Sequence, residues 1–206
     1  MDNLSTLKNE TYNDSHRENK KVRLRQQLID LSCSDFLYIG YEKLSLEKIA
    51  EEANVSVRTI LRYFDSKAGL VTAPCKNNVQ LFIDDIQSSN RALPTFESWQ
   101  YHIAQRLLNS GNTKLFLHYV LSVRREPALA SMLERHDLDY QQTLANGFAQ
   151  DENRKTTLAD KLFAGALLSA HATVIRHWIE LGKESGLTEA CLNAAQDTYK
   201  RYKVSL

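Results

Sequence analysis

The sequence predicts an all-α protein: a small N-terminal three-helix unit followed by a larger helical domain. Three observations lead there. Only three prolines and seven glycines punctuate 206 residues. Alternating β-branched runs of the kind that form strands are missing. Apolar residues recur at three- and four-residue spacing almost throughout, which is the period of amphipathic helices. Apolar content of 43% and charged content of 25% are those of an ordinary globular chain able to bury a stable core. No run approaches the roughly 20 apolar residues that span a bilayer, and the stretch Met1 to His16 is polar, without the apolar core of a secretory signal. Cys33, Cys75 and Cys191 are odd in number and widely spaced. They give neither a disulfide framework nor a metal-ligand pair, which fits a reducing cytoplasm.

Residues 1–18 are polar and are expected to form a disordered arm. Leu24, Leu28 and Leu31, with Ile29 and Phe36, space out a first helix that ends before Gly40. Leu44 to Phe64 divides into two short helices around a tight turn. A fourth helix begins near Ser66 and contains Pro74, which cannot donate to the Leu70 carbonyl, so a kink or break is expected there. Leu93-Pro94-Thr95 opens a segment in which Phe96, Trp99, Ile103 and Leu107 share one face, and Gly111 stops it. Leu115 to Val123 is a compact apolar helix. Glu126-Pro127 starts the next, with Pro127 fitting the first turn, and Leu129, Met132, Leu133, Tyr140, Leu144 and Phe148 line its inner side. Two segments follow, about 156–182 and 187–203, separated by Gly182 and Gly186. The expected domains are 19–73 and 74–206.

The stretch from Gly40 to Leu70 carries the chemistry. Ser45 is placed to cap a helix on which Leu46, Ile49, Ala50 and Ala53 form an inner stripe. Ala50 is small where a second helix must cross closely. Asn54 occupies the position past the helix end, where a left-handed backbone is wanted and asparagine is second choice to glycine. Val55 plugs the corner, Ser56 caps the next helix, and Ile60, Leu61 and Phe64 give that helix its apolar side. Val57, Arg58, Thr59, Arg62 and Tyr63 are left near or on the outward side. This is a helix-turn-helix, whose second helix can enter a major groove with its N-terminal side chains near base edges. Arginine bonds two guanine acceptors at once, and valine and threonine methyls meet thymine methyls. The alternative for such a hairpin is an ordinary corner of a bundle, with Arg58 and Arg62 as solvated charges.

Net charge is only +1 and does not by itself suggest nucleic acid. Its distribution is more informative. Arg17, Lys20, Lys21, Arg23 and Arg25 cluster with only Glu18 among them, and Arg58, Arg62 and Lys67 follow. Local basic spots contact phosphates on a near-neutral protein. The first cluster fits either a phosphate or minor-groove contact or a merely solvated arm.

Gly40-Tyr41, Leu44-Ser45, Ile49-Ala50, Ala53, Val55-Ser56, Phe64, Lys67 and Leu70 fall in register with the pattern of the TetR family of transcriptional repressors, which this third of the chain resembles. Asn54 stands where that pattern has glycine, Leu61 where it commonly has a phosphate-contacting tyrosine, and Ala68-Gly69 where an acidic residue follows the lysine. The resemblance implies that residues 57–59 face bases and that Ser45, Tyr63 and Lys67 hold phosphates. It implies a cytoplasmic repressor that acts as a homodimer on a palindromic operator, released by a small-molecule effector and needing no cofactor.

Two-fold reading heads lie about 34–36 Å apart on one DNA face, so the dimer surface is expected in the larger domain. In 156–182, Ala159, Ala164, Gly165, Ala166, Ser169, Ala170 and Ala172 permit close helix approach, and Leu158, Leu162, Val174, Trp178 and Leu181 supply bulk. Leu187, Cys191, Ala194, Thr198 and Tyr202 give the last helix a matching stripe. The pair would meet its twin as a four-helix bundle, or both stripes would serve only the core of one copy. For the effector pocket, Phe82, Trp99, His102, Phe116, Tyr119, Tyr140 and Trp178 are the candidate lining, each with ordinary core as its alternative. The Pro74 region is the candidate hinge.

Enzymatic signatures are sparse. A glycine-rich phosphate loop, a Gly-x-Ser-x-Gly elbow and a His-Glu-x-x-His zinc motif are all missing. The alternative function is an all-helical, metal-dependent phosphohydrolase using His136 and Asp137, with Asp139 and His102, His118, His171 and His177 elsewhere. Adjacent His and Asp ligate a metal only if further ligands converge from other helices; otherwise they are a polar patch on one helix.

Overall fold

The computed structural model describes residues 3–88, 92–109, 113–183 and 185–204. Among them the regular structure is helical throughout: α1 (Asn3–Lys43), α2 (Leu46–Glu52), α3 (Val57–Phe64), α4 (Lys67–Gln87), α5 (Thr95–Asn109), α6 (Thr113–Arg125), α7 (Pro127–Asp151), α8 (Leu158–Glu180) and α9 (Leu187–Val204). The chain folds as two compact units, Met1–Ala73 and Pro74–Leu206.

The first unit closes around Leu28, Ile29, Phe36, Leu44, Ile49, Ile60, Phe64 and Leu70, all buried. Gly40 takes φ 80° inside α1 and ends its regular geometry, as the sequence indicates. Lys48 reaches back from α2 to Asp35 on α1 at 3.0 Å, and this carboxylate holds the lysine pKa above its ordinary value. At its other end α1 begins at Asn3, where a disordered arm through residue 18 was expected. Residues 3–18 contain neither glycine nor proline, the two strongest helix breakers.

Pro74 does not break α4, which continues from Lys67 to Gln87. The expected end of α5 at Gly111 lies outside the described residues.

In the second unit, one core joins residues from α4, α5, α6, α7, α8 and α9, with Phe82, Trp99, Ile103, Leu117, Leu144 and Leu167 at its centre. Glu126 and Pro127 start α7 as their types dictate. Thr157 and Asp160 form a reciprocal capping box at the head of α8. Asp160 is almost fully buried and accepts both guanidinium nitrogens of Arg154 at 2.6 and 2.7 Å. That pair holds the Asp160 carboxyl well below the usual carboxylate range.

By length and composition alone, α8 is apolar enough to cross a bilayer. The run-length reading misses this because alanines and leucines raise the mean across interspersed polar residues. Here α8 packs into a protein core through Phe163, Ala164, Leu167 and Trp178, and its buried aspartate is ion-paired. Its other face stays open: Leu158 and Leu162 are 71% and 64% exposed. On α9, Leu187 and Cys191 belong to the core of this copy rather than to a free stripe, because α9 lies against α5 and α8 through them.

Candidate functional site

Two short caps build the helix-turn-helix. Ser45 stands in extended backbone before α2 and accepts the Lys48 N–H at 3.2 Å. Ser56 does the same for α3, accepting the Thr59 N–H at 3.2 Å. Between them Asn54 takes φ 54°, the left-handed conformation its position calls for, while the Val55 N–H returns to the Ala50 carbonyl at 2.9 Å. The corner is therefore fixed by backbone bonds, and Ile60 and Phe64 seat α3 in the core at 0% and 6% exposure. What α3 turns outward is Arg58, Leu61 and Arg62. These lie three and four residues apart and so form one face. Val57 and Thr59 are half-buried, and the Thr59 hydroxyl lies 3.0 Å from that of Ser56. Leu61, assigned to the apolar side from the sequence, is 38% exposed, because Ile60 and Phe64 already fill the groove against α1 and α2.

Lys67 and Tyr63 close the edge of this face. The Lys67 ammonium donates to the Glu42 carbonyl at 3.3 Å and sits 4.7 Å from the centre of the Tyr41 ring, so it caps the end of α1. Its charge also reaches Glu47, whose carboxyl is held below its ordinary range by its own backbone N–H and by the Ser45 hydroxyl. Ser45, Glu47 and Lys67 thus share one electrostatic neighbourhood at the head of α2. The Ser45 hydroxyl donates to Glu47 at 2.8 Å. Arg62 lies over the Tyr63 ring at 5.8 Å, and Arg25 of the basic cluster lies over Phe64 at 5.2 Å.

The second unit holds a cavity of 580 Å³, partly open to solvent and bounded by α4, α5, α6, α7 and α8. Its apolar wall comes from residues such as Val79, Val120, Leu121, Leu168 and Ile175, and its polar groups include Arg106, Arg124, Asp137, Tyr140 and His171. Arg124 and Asp137 make a two-pronged pair at 2.6 and 2.9 Å, which raises the arginine pKa further. Tyr140 accepts the Trp99 indole N–H at 2.8 Å, and burial pushes its phenol up to about 12. Burial, with the charges of Arg106 and His102, lowers His171 to about 3, so its imidazole is neutral.

The profile of bacterial regulatory proteins of the tetR family matches residues 36–73, the end of α1 through α2, α3 and the start of α4. This segment of the chain is similar to the DNA-binding segment of the TetR family. A curated relative, the HTH-type transcriptional regulator TcmR of Streptomyces glaucescens, is 41% identical over 58 residues. That stretch takes in 28% of this chain and 26% of TcmR, so the chain spans about a quarter of the length of that relative. Solved structures resemble it over far more of the fold. The SmeT–triclosan complex has a TM-score of 0.66 at 15% identity, covering 87% of this chain and 91% of that one. FadR from Bacillus subtilis, in complex with stearoyl-CoA, has 0.61 at 19%, covering 84% and 96%. At such identities the likeness is one of fold.

Of the residues singled out from the sequence for a pocket, only Tyr140 lines the cavity. The others stand behind its wall or elsewhere in the core. Trp99 holds Tyr140 and meets His171 edge-on at 5.9 Å between ring centres. Phe116 backs Arg106, whose guanidinium lies 5.4 Å from its ring. His102 packs on Phe82 at 5.3 Å, Tyr119 is buried, and the Trp178 indole donates to the Ser185 carbonyl at 3.0 Å. Large aromatics fill space instead of bounding it. Sequence reasoning missed Arg106 and named His171 only for the phosphohydrolase alternative, not for a pocket. The signal was present: Arg106 falls three residues after Ile103 on the buried stripe of α5, and His171 four after Leu167 on that of α8. The phosphohydrolase residues are differently engaged. His136 Nε2 lies 3.1 Å from the Lys76 carbonyl oxygen and Asp137 is bound to Arg124, so the two do not point at a common centre. Among the described residues no group of three or more His, Cys, Asp or Glu is placed to share a metal ion.

Proposed function

We propose that this chain is a DNA-binding transcriptional regulator, a homodimeric repressor that leaves a palindromic operator when a small molecule occupies its larger unit. One observation carries the reading: α3 is capped, seated by Ile60 and Phe64, and turns Arg58, Leu61 and Arg62 outward within the stretch that matches the TetR family. In this reading α3 enters the major groove, with Val57, Arg58 and Thr59 of its first turn nearest the base edges. Arg62, Tyr63, Lys67 and the Ser45 end of α2 hold phosphates on either side. That TcmR is an HTH-type transcriptional regulator supports the assignment.

Dimerisation is assigned to α8 and α9. The exposed side of α8, running through Leu158, Leu162, Ala166 and Ser169, is apolar or small along its length, and a second copy would cover it as a four-helix bundle. For the ligand, the cavity has the size and the apolar wall of a small-molecule site, and the structures with triclosan and stearoyl-CoA are of proteins with this fold. Release requires that the ligand bind better to the conformation whose reading heads do not match the operator. The residues placed so far assign no catalytic step.

Selection from random duplexes tests the reading, followed by titration of the enriched sequence. Arg58→Ala is expected to relax sequence preference. Lys67→Ala is expected to weaken all duplexes alike and to lower the salt slope by about 1. A protein that shows no preference among duplexes at moderate salt refutes the proposal, and identical changes in the two variants refute the division of roles.

A further inference from the structure

The charges in the cavity wall do not cancel locally. Arg124 is neutralised by Asp137 through two hydrogen bonds, and both Arg176 and Glu134 lie at exposed positions. Arg106 is different. It rises from the buried stripe of α5, and its guanidinium has no hydrogen bond or ion pair with any described residue, only the ring face of Phe116. Burial disfavours its charged form and lowers its pKa, while the nearby Tyr140 and Cys75 oppose that shift. A half-buried arginine without a counter-charge is costly. Such a charge is tolerated when solvent or a ligand completes its shell.

Two further donors stand in the same wall. Tyr140 uses its oxygen to accept from Trp99, which leaves the phenolic proton to donate. His171 has its Nδ1 buried without a hydrogen-bond partner, and the ring is neutral. Both feel the Arg106 charge. The remaining wall is mainly aliphatic.

We infer that the cavity takes an apolar small molecule bearing a single carboxylate, bound by the Arg106 guanidinium with the Tyr140 hydroxyl as second donor. This rests on the reading above that the larger unit binds a small molecule, and it adds the chemical class. A guanidinium offers two parallel N–H groups to a carboxylate, and the low dielectric of the cavity strengthens the contact. A half-buried cation without an ion pair favours a negative charge beside it. The aliphatic wall sets an extended or ring-shaped hydrocarbon body as the rest of the ligand.

Calorimetric titration of the full chain with decanoate and with decan-1-ol, both below micellar concentration, tests this. Decanoate is expected to bind about tenfold or more tightly than the alcohol, the range of a hydrogen bond to a charged group. Arg106→Gln should abolish that gap and leave decan-1-ol binding close to wild type. Arg106→Lys, which keeps the charge but loses the fork, should retain part of it. Equal affinity for acid and alcohol in the wild type overturns the inference without any variant. So does a gap that survives Arg106→Gln, or failure of both compounds to bind. Should the glutamine variant not fold by circular dichroism, Tyr140→Phe is expected to narrow the gap, and an unchanged gap there counts against the site. Duplex affinity is measured in parallel. Arg106-dependent decanoate binding with unaltered DNA affinity upholds the carboxylate site and removes only the ligand-release step of the function.

Discussion

In the proposed dimer, replacing Leu158 and Leu162 together by glutamate is expected to yield monomers without unfolding them. Both side chains are on the open face of α8, 71% and 64% exposed, so neither holds the core of one copy. Full burial of a leucine is worth about 1.5–3 kcal/mol, and covering the exposed part of each therefore contributes about 1–2 kcal/mol. A two-fold interface contains each residue twice, so four leucines contribute about 4–8 kcal/mol before association costs. Interface contributions are non-additive, and even half of that sum, about 3 kcal/mol, raises the dissociation constant about a hundredfold. Four carboxylates facing their symmetry mates add repulsion. Sedimentation over a concentration series reads the constant directly, and circular dichroism checks that helix content is kept. Duplex affinity should fall in step, since one reading head alone recognises few base pairs. A double variant that sediments as the wild type does, at concentrations near the wild-type constant, refutes the placement of the dimer face.

Three further outcomes are expected. In Gly69→Ala a Cβ would stand 1.9 Å from the Phe64 carbonyl oxygen, a backbone atom that cannot swing away; despite the better helix propensity of alanine, urea titration should show a net loss of about 1–3 kcal/mol, and equal or greater stability refutes the close approach. His171 has a folded pKa of about 3, below its unfolded value near 6.5. Between these limits the unfolded chain binds the extra proton, so stability falls as pH drops, by up to about 1.4 kcal/mol per pH unit. His171→Leu should flatten stability between pH 6 and about 4.5, and an unchanged slope means the imidazole is not held neutral. Pro74→Ala restores the donor missing from α4 and is expected to change how far a bound ligand weakens duplex affinity; unaltered induction and DNA affinity reject Pro74 as the hinge.

The local geometry of the helix-turn-helix was legible almost residue by residue because each of its features is local. A serine cap, an asparagine in left-handed backbone and a stripe three or four residues apart are decided within one turn of the chain. The positions that departed from expectation depend on what comes from a distance. Whether Leu61 faces in or out is settled by Ile60 and Phe64 having already filled the space against α1 and α2. Gly69, which stands where the family pattern has an acidic residue, is explained only once the Phe64 carbonyl is seen beneath it.

The same distinction explains why the cavity went unread. A cavity is bounded by what fails to fill it, so the largest apolar side chains are poor guides to its position. Trp99 and Phe116 illustrate this: they buttress Tyr140 and Arg106 from behind, and it is the buttressed polar groups that meet the open space. A charged or titratable residue in phase with a buried helical stripe is the better signal, because burying it unpaired is unfavourable unless something completes its shell. Arg106 on α5 and His171 on α8 both satisfy that description, and both line the cavity. Arg124 and Asp137 line it too, yet they satisfy each other and so report fold rather than ligand. The informative quantity is therefore the unmatched charge. Arg106 is the lining guanidinium that is half-buried with neither an ion pair nor a hydrogen bond among the described residues, and the proposed carboxylate is the group that would answer it.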